Sequence, residues 1–152
     1  MNKSAIAMPV ARRLYLISIF ALTLTGFAQM PIFKRYYIAD IPGLGWLAQY
    51  YVTHYAHYLF SLLFLGVIAY FVVVFIGTKK YRPTLRKSDI ARIICVAGLA
   101  VTGILLAVKN LEGVYWPFGL ITWLDLIHLG FVMGVLIVGL VARRINKKII
   151  SK

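Results

Sequence analysis

Long apolar runs separated by short polar stretches dominate the pattern of this chain. Four of them have the length of a membrane-spanning helix, at residues 14–30, 55–78, 90–108 and 118–142. A hydrocarbon core about 30 Å thick takes roughly 20 apolar residues in helical form. The pattern therefore predicts an all-α fold, an integral membrane four-helix bundle that forms a single membrane domain over residues 1–152.

Composition agrees with this pattern. Apolar residues make up 62% of the chain and charged residues only 14%, and the mean hydropathy is +0.86. These values are far from those of a soluble domain. Arg12 and Arg13 precede the first run as in an export signal, but the run lacks a clear small-x-small cleavage pattern. We therefore expect an uncleaved first helix.

The basic residues alternate between the two sides of the predicted bundle. Fourteen lie at the N-terminus, between the second and third spans, or in the tail, against three in the other two connections: Lys34, Arg35 and Lys109. Cytoplasmic loops of membrane proteins carry the excess of Lys and Arg. The chain is thus predicted to run N-in/C-in. The net charge of +13 follows from this sorting, so membrane lipid is an expected partner and nucleic acid is not.

Cysteine content excludes several redox chemistries. Cys95 is the single cysteine, so the chain has no internal disulfide, no CxxC pair and no CxxCH attachment of a c-type haem. We expect Cys95 to be a small packing residue in the third span.

Aromatic residues crowd the first outer connection and the start of the second span. The charge-free stretch of 38 residues from Ile41 to Thr78 exceeds one span, and Pro42, Gly43 and Gly45 interrupt its early part. Tyr and Trp favour both the membrane interface and protein interfaces. The segment is either an aromatic belt or a docking surface for a partner, and the two roles are compatible.

The histidines carry the chemistry. An ionisable side chain within a membrane is costly unless it is paired or bound, and His57 and His128 lie in different spans, both in the outer half. Facing side chains in bundle cores build cofactor sites, and this pair suits the two axial positions of one b-type haem. His54 lies near His57 on one helix face and is the rival ligand. His57 is preferred because it is deeper and leaves the smaller depth mismatch with His128.

Other polar and small residues extend this candidate site. A structural zinc site is the less favoured interpretation, because it needs about four ligands and Asp125 and His54 would have to complete the set. Gly66 and Gly130 are candidates for cofactor clearance, although Gly130 also forms a GxxxG with Gly134, which is typical of close helix packing. Asp125 would then hydrogen-bond near the ligands, relay a proton or lie at the wet interface.

Short motifs resemble those of a known family, the four-helix cytochrome b subunits (gamma subunits) of membrane-bound formate dehydrogenases and the related hydrogenase cytochromes b. The motifs are Arg12-Arg13-Leu14-Tyr15, Leu24-Thr25-Gly26-Phe27, the histidine at the outer start of the second span, and His128-Leu129-Gly130-Phe131. The likeness extends over residues 12–144.

The resemblance implies two haems in the family, but this chain departs from the pattern at the inner one. Tyr15 occupies the place of one inner ligand, and residues 139–145 contain no histidine for the other. The resemblance therefore implies a single outer haem on His57 and His128, and it leaves the family's inner quinone site in doubt.

By the same resemblance, the chain is expected to be a non-catalytic electron-transfer subunit in a bacterial inner membrane. An extracytoplasmic iron-sulfur or multihaem redox subunit would exchange electrons through it with a membrane quinone, either menaquinone or ubiquinone. His54, Tyr55 and Asp125 are the polar groups near which a quinone would bind. The alternatives are a haemless membrane anchor with a quinone pocket and, less favoured, a small transporter.

Overall fold

The computed structural model describes residues 3–30, 37, 40–77 and 86–150, without the side chains of residues 3–7, 143 and 145–150. It contains α1 (Lys3–Ala28), a 3-10 helix η1 (Gly45–Ala48), α2 (Tyr50–Gly77), α3 (Lys87–Val108) and α4 (Phe118–Ile150). Each of the four α-helices includes a segment long and apolar enough to cross a membrane. The predicted all-α class with four spans is confirmed, and the fold is that of a multi-pass membrane protein.

The helices are longer than the apolar runs that predicted them. Helix α1 begins 11 residues before the predicted start at residue 14, α2 begins at Tyr50 rather than at residue 55, and α4 continues to Ile150. The predicted end of the second span, Thr78, lies outside the described residues. Hydropathy marks only the part of a helix that suits hydrocarbon, whereas the backbone hydrogen bonds continue beyond it.

The chain divides into two compact units, Met1–Arg82 and Pro83–Lys152. In the first unit α1 packs against α2, and in the second α3 packs against α4. We call these pair 1 and pair 2. Each pair is an antiparallel hairpin by chain order, so the C-terminal end of its first helix lies beside the N-terminal end of its second.

Small and hydroxyl side chains form much of the buried face within the pairs. On α1 these are Ala11, Ser18, Thr25 and Ala28, and the buried residues of α3 include Thr102. Large apolar side chains such as Phe20, Leu62 and Ile104 are exposed instead. Small side chains at the contact and large apolar side chains on the exterior suit a lipid environment, where small residues let helices approach closely.

Aromatic rings fill the interior of pair 1 away from its connection. Tyr15 stacks on Phe64, with ring centroids 5.8 Å apart, and meets Phe71 edge-on at 6.3 Å. At the connection end, Leu47 of η1 is 1% exposed, and η1 contacts both α1 and α2. Pair 1 is therefore held by aromatic packing at one end and covered by an apolar side chain at the other.

Glycines allow the close approach of the helices in pair 2. A Cβ added to Gly98 would lie 2.4 Å from Cζ of Phe131, and one added to Gly134 would lie 2.9 Å from Sγ of Cys95. A real Cβ at either position would force the facing side chain to shift, so both glycines contribute to the close packing of the pair. Cys95 thus has the packing contact that its apolar span predicts.

Candidate functional site

His57 lies on α2 against the C-terminal end of α1. Its Nδ1 is 2.9 Å from Oγ1 of Thr25, which is 2% exposed. The same threonine oxygen lies 2.7 Å from the carbonyl oxygen of Ala21, one turn earlier on α1. Gly26 follows directly, and a Cβ there would lie 3.3 Å from Cε1 of His57. A threonine and a glycine therefore form the surface on which this imidazole rests.

His128 lies on α4 in the same relation to α3. Its Nδ1 is 2.8 Å from Oγ1 of Thr102, which is 6% exposed. That oxygen lies 2.7 Å from the carbonyl oxygen of Gly98, again one turn earlier. A Cβ on Gly103 would lie 3.5 Å from Cε1 of His128. Pair 2 thus repeats the arrangement of pair 1, and we call each copy a Thr-Gly cradle, formed by Thr25-Gly26 and Thr102-Gly103.

The hydrogen bonds of the cradles favour the same tautomer in both histidines. A threonine hydroxyl has one hydrogen, whereas a backbone carbonyl can only accept. At 2.7 Å from a carbonyl oxygen, the hydroxyl has to donate to it, since two acceptors at that distance would repel each other. The hydroxyl therefore accepts from Nδ1–H of His57 in pair 1 and of His128 in pair 2. In both rings, Nε2 is then the nitrogen that carries the lone pair.

The likeness between the cradles extends along the second helix of each pair. The residues four before and seven after the histidine are buried in both: Thr53 and Phe64 around His57, and Leu124 and Val135 around His128. Spacings of four and seven residues return to nearly the same face of an α-helix. Both histidines therefore lie on the face that packs against the first helix of their own pair.

His54 has different surroundings from those of the other two histidines. Its Nδ1 is 3.2 Å from Oε1 of Gln29, whose amide nitrogen donates to the carbonyl oxygen of Thr25. Its ring stacks on Tyr50 at 5.2 Å and meets Tyr58 edge-on at 4.5 Å. His54 is therefore placed in an aromatic cluster at the connection end of pair 1 rather than on a Thr-Gly cradle.

The remaining polar candidates lie near the connection ends of their pairs. Oδ1 of Asp125 is 3.6 Å from Nζ of Lys109, and 56% of the Asp125 side chain is exposed. The ion pair joins the start of α4 to the residue that follows α3. Tyr55 is exposed. Both residues are accessible to a molecule bound at the membrane interface. Their role in binding a quinone stays a prediction.

Gly66 and Gly130 lie on open helix faces. A Cβ added to either would meet no heavy atom within 4 Å in the part of the chain that the structure describes. Gly66 follows His57 by nine residues, which is about 180° around an α-helix. It therefore faces away from the side on which His57 meets α1. Of the two GxxxG glycines only Gly134 serves helix packing, and the clearance role of Gly66 and Gly130 stays a prediction.

Exposed aromatic side chains surround the connection ends of both pairs. Those of pair 1 include Tyr37, Trp46, Tyr51 and Tyr55, and those of pair 2 include Tyr115 and Phe118. Their exposure is compatible both with an aromatic belt at the membrane interface and with a docking surface for a partner protein.

The structure bears on the type of metal that the described residues could hold. Among them, no three side chains of His, Cys, Asp or Glu come together in a group that could hold a metal ion. A closed zinc site needs about four protein ligands. An iron held by a porphyrin needs only one or two ligands from the protein, and the imidazoles of His57 and His128, each hydrogen-bonded at Nδ1, fit that requirement.

The two threonines that hydrogen-bond to the histidines were not predicted as site residues from the sequence. Thr25-Gly26 entered only as part of a family motif, and Thr102-Gly103 was not considered. The available signal was the repeat of a Thr-Gly dipeptide near the C-terminal end of the first helix of each hairpin, with a histidine in the second helix. Thr25 precedes His57 by 32 residues and Thr102 precedes His128 by 26, so unequal connections obscure the repeat.

Comparison of the chain with known protein families, characterised proteins and solved structures finds no match. No residue role is therefore transferred from a relative, and the chemistry of the site has to be argued from the two cradles themselves.

Proposed function

We propose that this protein is a haem-b-containing membrane subunit of a quinone-linked respiratory oxidoreductase. It passes electrons between an extracytoplasmic iron-sulfur or multihaem partner and the membrane quinone pool. One haem is ligated by Nε2 of His57 and Nε2 of His128. The observation that carries the proposal is the repeated Thr-Gly cradle, which presents an imidazole of the same tautomer in each helix pair.

The oriented imidazole is the feature that a metal ligand needs. Histidines that bind metals commonly donate their other ring N–H to a protein acceptor, which fixes the tautomer and the ring plane. Both cradles provide that acceptor through a buried hydroxyl. A haem held by such imidazoles would supply one-electron transfer, and the chain would supply the ligands, the burial and the hydrogen bonds that set its potential.

Helix direction favours the two histidines lying in the same leaflet. In the proposed topology each helix crosses the membrane once, and chain order then requires α2 and α4 to cross it in the same direction. His57 follows the start of α2 by seven residues and His128 follows the start of α4 by ten, which correspond to about 10 Å and 15 Å of helix. The difference of about 5 Å is within the reach of modest helix tilts.

His57 is preferred to His54 because it shares its environment with His128. Both have a threonine hydroxyl at Nδ1 and a glycine beside Cε1. His54, with Tyr55 and Asp125, is instead proposed to lie near the quinone. The ring contacts of His54 with Tyr50 and Tyr58 provide the flat apolar surroundings that a quinone ring favours.

A single haem is favoured by the packing at the opposite end of pair 1. The resemblance places one inner ligand of the family at the position of Tyr15. Here Tyr15 packs between Phe64 and Phe71, so aromatic side chains occupy the interior at that level. The proposal therefore assigns one haem to the chain, at the connection ends of the pairs.

The proposed orientation is N-in/C-in in a bacterial inner membrane, because the basic residues are concentrated at the N-terminus, between pairs 1 and 2, and in the tail. The connection ends of both pairs would then face outward. The exposed aromatic residues at those ends are proposed to meet both the lipid headgroups and the redox partner.

The test is a reduced-minus-oxidised visible spectrum of the purified protein, with the haem content determined per chain. We expect a b-type band and one haem per chain. The His57→Ala and His128→Ala variants should lose the band, whereas His54→Ala should keep it. Absence of the band from the wild-type protein would reject the haem proposal and favour a haemless anchor. Loss of the band in His54→Ala but not in His57→Ala would reverse the choice of ligand.

A further inference from the structure

In both cradles the threonine hydroxyl uses its hydrogen and its lone pairs at the same time. In each, the threonine hydroxyl is engaged on both sides, since it donates to a backbone carbonyl at 2.7 Å and accepts from the imidazole at 2.9 Å or 2.8 Å. A hydroxyl whose hydrogen is already held by the backbone offers only its lone pairs to the ring. The geometry of the helix backbone therefore decides which imidazole nitrogen is protonated.

We propose that Thr25 and Thr102 are matched positioning residues, which lock His57 and His128 in the Nδ1–H tautomer and thereby set how strongly Nε2 donates to the iron. This inference rests on the proposed haem ligation for its redox consequence. Its claim about the tautomer concerns the protein alone. Neither threonine touches the iron in this proposal, and each acts through its histidine.

The direction of the effect follows from the hydrogen bond. An acceptor at Nδ1–H raises the basicity of Nε2 and so strengthens its donation to the metal. Stronger donation favours the ferric over the ferrous state, which lowers the reduction potential. Removing the acceptor should therefore raise the potential and also weaken the hold on the haem, by roughly tenfold or more for an outer-shell partner.

The chain provides a matched control for this test. Thr53 is as deeply buried as Thr25 and lies on the same helix as His57. Its hydroxyl bonds are to the carbonyl oxygens of Gln49 and Tyr50, at 3.2 Å and 2.9 Å. Replacing this threonine by valine removes a hydroxyl of the same type and burial without removing an acceptor from a histidine.

The redox test compares Thr25→Val, Thr102→Val, the double variant and Thr53→Val in the full-length holoprotein. We expect the midpoint potential to rise in each cradle variant and to rise further in the double variant, because both histidines donate to the same iron and each has then lost its acceptor. Thr53→Val should leave it unchanged. Thr25→Ser and Thr102→Ser retain a hydroxyl and should restore the wild-type potential. Potentials in the cradle variants equal to that of Thr53→Val would overturn the inference.

The tautomer test does not depend on haem. In the His54→Ala background, nitrogen-15 NMR of protein labelled in its histidine side chains observes only His57 and His128. We expect both rings as Nδ1–H in the haem-free protein, and one ring in mixed tautomers after Thr25→Val or Thr102→Val. Mixed tautomers before substitution would overturn the inference. If the tautomers are fixed but the wild-type protein cannot be loaded with haem, the proposed function is refuted while the role of the threonines stands.

Discussion

Pair 1 and pair 2 hold a histidine in the same way and fill the rest of their interiors differently. In both, a Thr-Gly cradle on the first helix meets a histidine on the second. Elsewhere pair 1 is packed by aromatic rings and covered by Leu47, whereas pair 2 relies on the close approach of Gly98 to Phe131.

This contrast distinguishes the residues that pack each pair from those that serve a common function. Apolar interiors tolerate many solutions of similar volume, so two hairpins of similar shape need not share their packing residues. An arrangement that recurs despite different packing is therefore explained by a common task. The cradle recurs and its surroundings do not, which is why the two threonines and the two histidines are assigned to the proposed haem site.

The largest difference between the pairs concerns the covering of the connection ends. Leu47 of η1 is buried in pair 1, whereas Leu111 in the connection of pair 2 is exposed. We expect Leu47→Ala to lower the free energy of unfolding by about 2–5 kcal/mol, the usual cost of truncating a buried leucine. Leu111→Ala should change it by less than about 0.5 kcal/mol. Unfolding in mixed detergent and SDS, followed by circular dichroism, measures both.

Similar losses in the two leucine variants would mean that η1 does not cover pair 1.

A smaller effect is expected from the glycines of pair 2. Alanine at position 98 would place its Cβ 2.4 Å from the ring of Phe131. Overpacking of this kind costs about 1–3 kcal/mol. Gly130→Ala is the matched control, because a Cβ there meets no described atom within 4 Å and alanine has the higher helix propensity. The same SDS titration should therefore show a loss for Gly98→Ala and no loss for Gly130→Ala.

The double variant Gly98→Ala/Phe131→Ala should lose less free energy of unfolding than the sum of the two single variants, because the ring that the new Cβ would meet is absent. A double variant whose losses simply add would contradict the close contact between these two residues.

The sequence allowed the spans to be predicted but not the partners of the histidines. Continuous apolar runs report directly on membrane crossing, so four helices were predicted correctly although α1 and α4 extend further. The contact of His57 with Thr25 joins residues 32 positions apart, and it depends on how α1 and α2 rotate against each other. Hydropathy carries little information on that rotation, because both lipid-facing and buried positions are apolar or small.

The glycines illustrate the same limit. Gly130 and Gly134 were considered together because of their spacing, yet among the described residues only Gly134 meets a neighbour, and Gly98 was not considered at all. Spacing identifies a face of one helix. The helix that approaches this face is determined by the tertiary fold.

Low-temperature electron paramagnetic resonance of the oxidised protein tests directly whether one imidazole from each pair binds a single haem, as proposed. We expect one low-spin ferric signal of the type produced by two histidine ligands. Conversion to a high-spin signal, or loss of the haem, is expected in both His57→Ala and His128→Ala. A high-spin signal in the wild-type protein, or a low-spin signal that persists in either variant, would contradict the account.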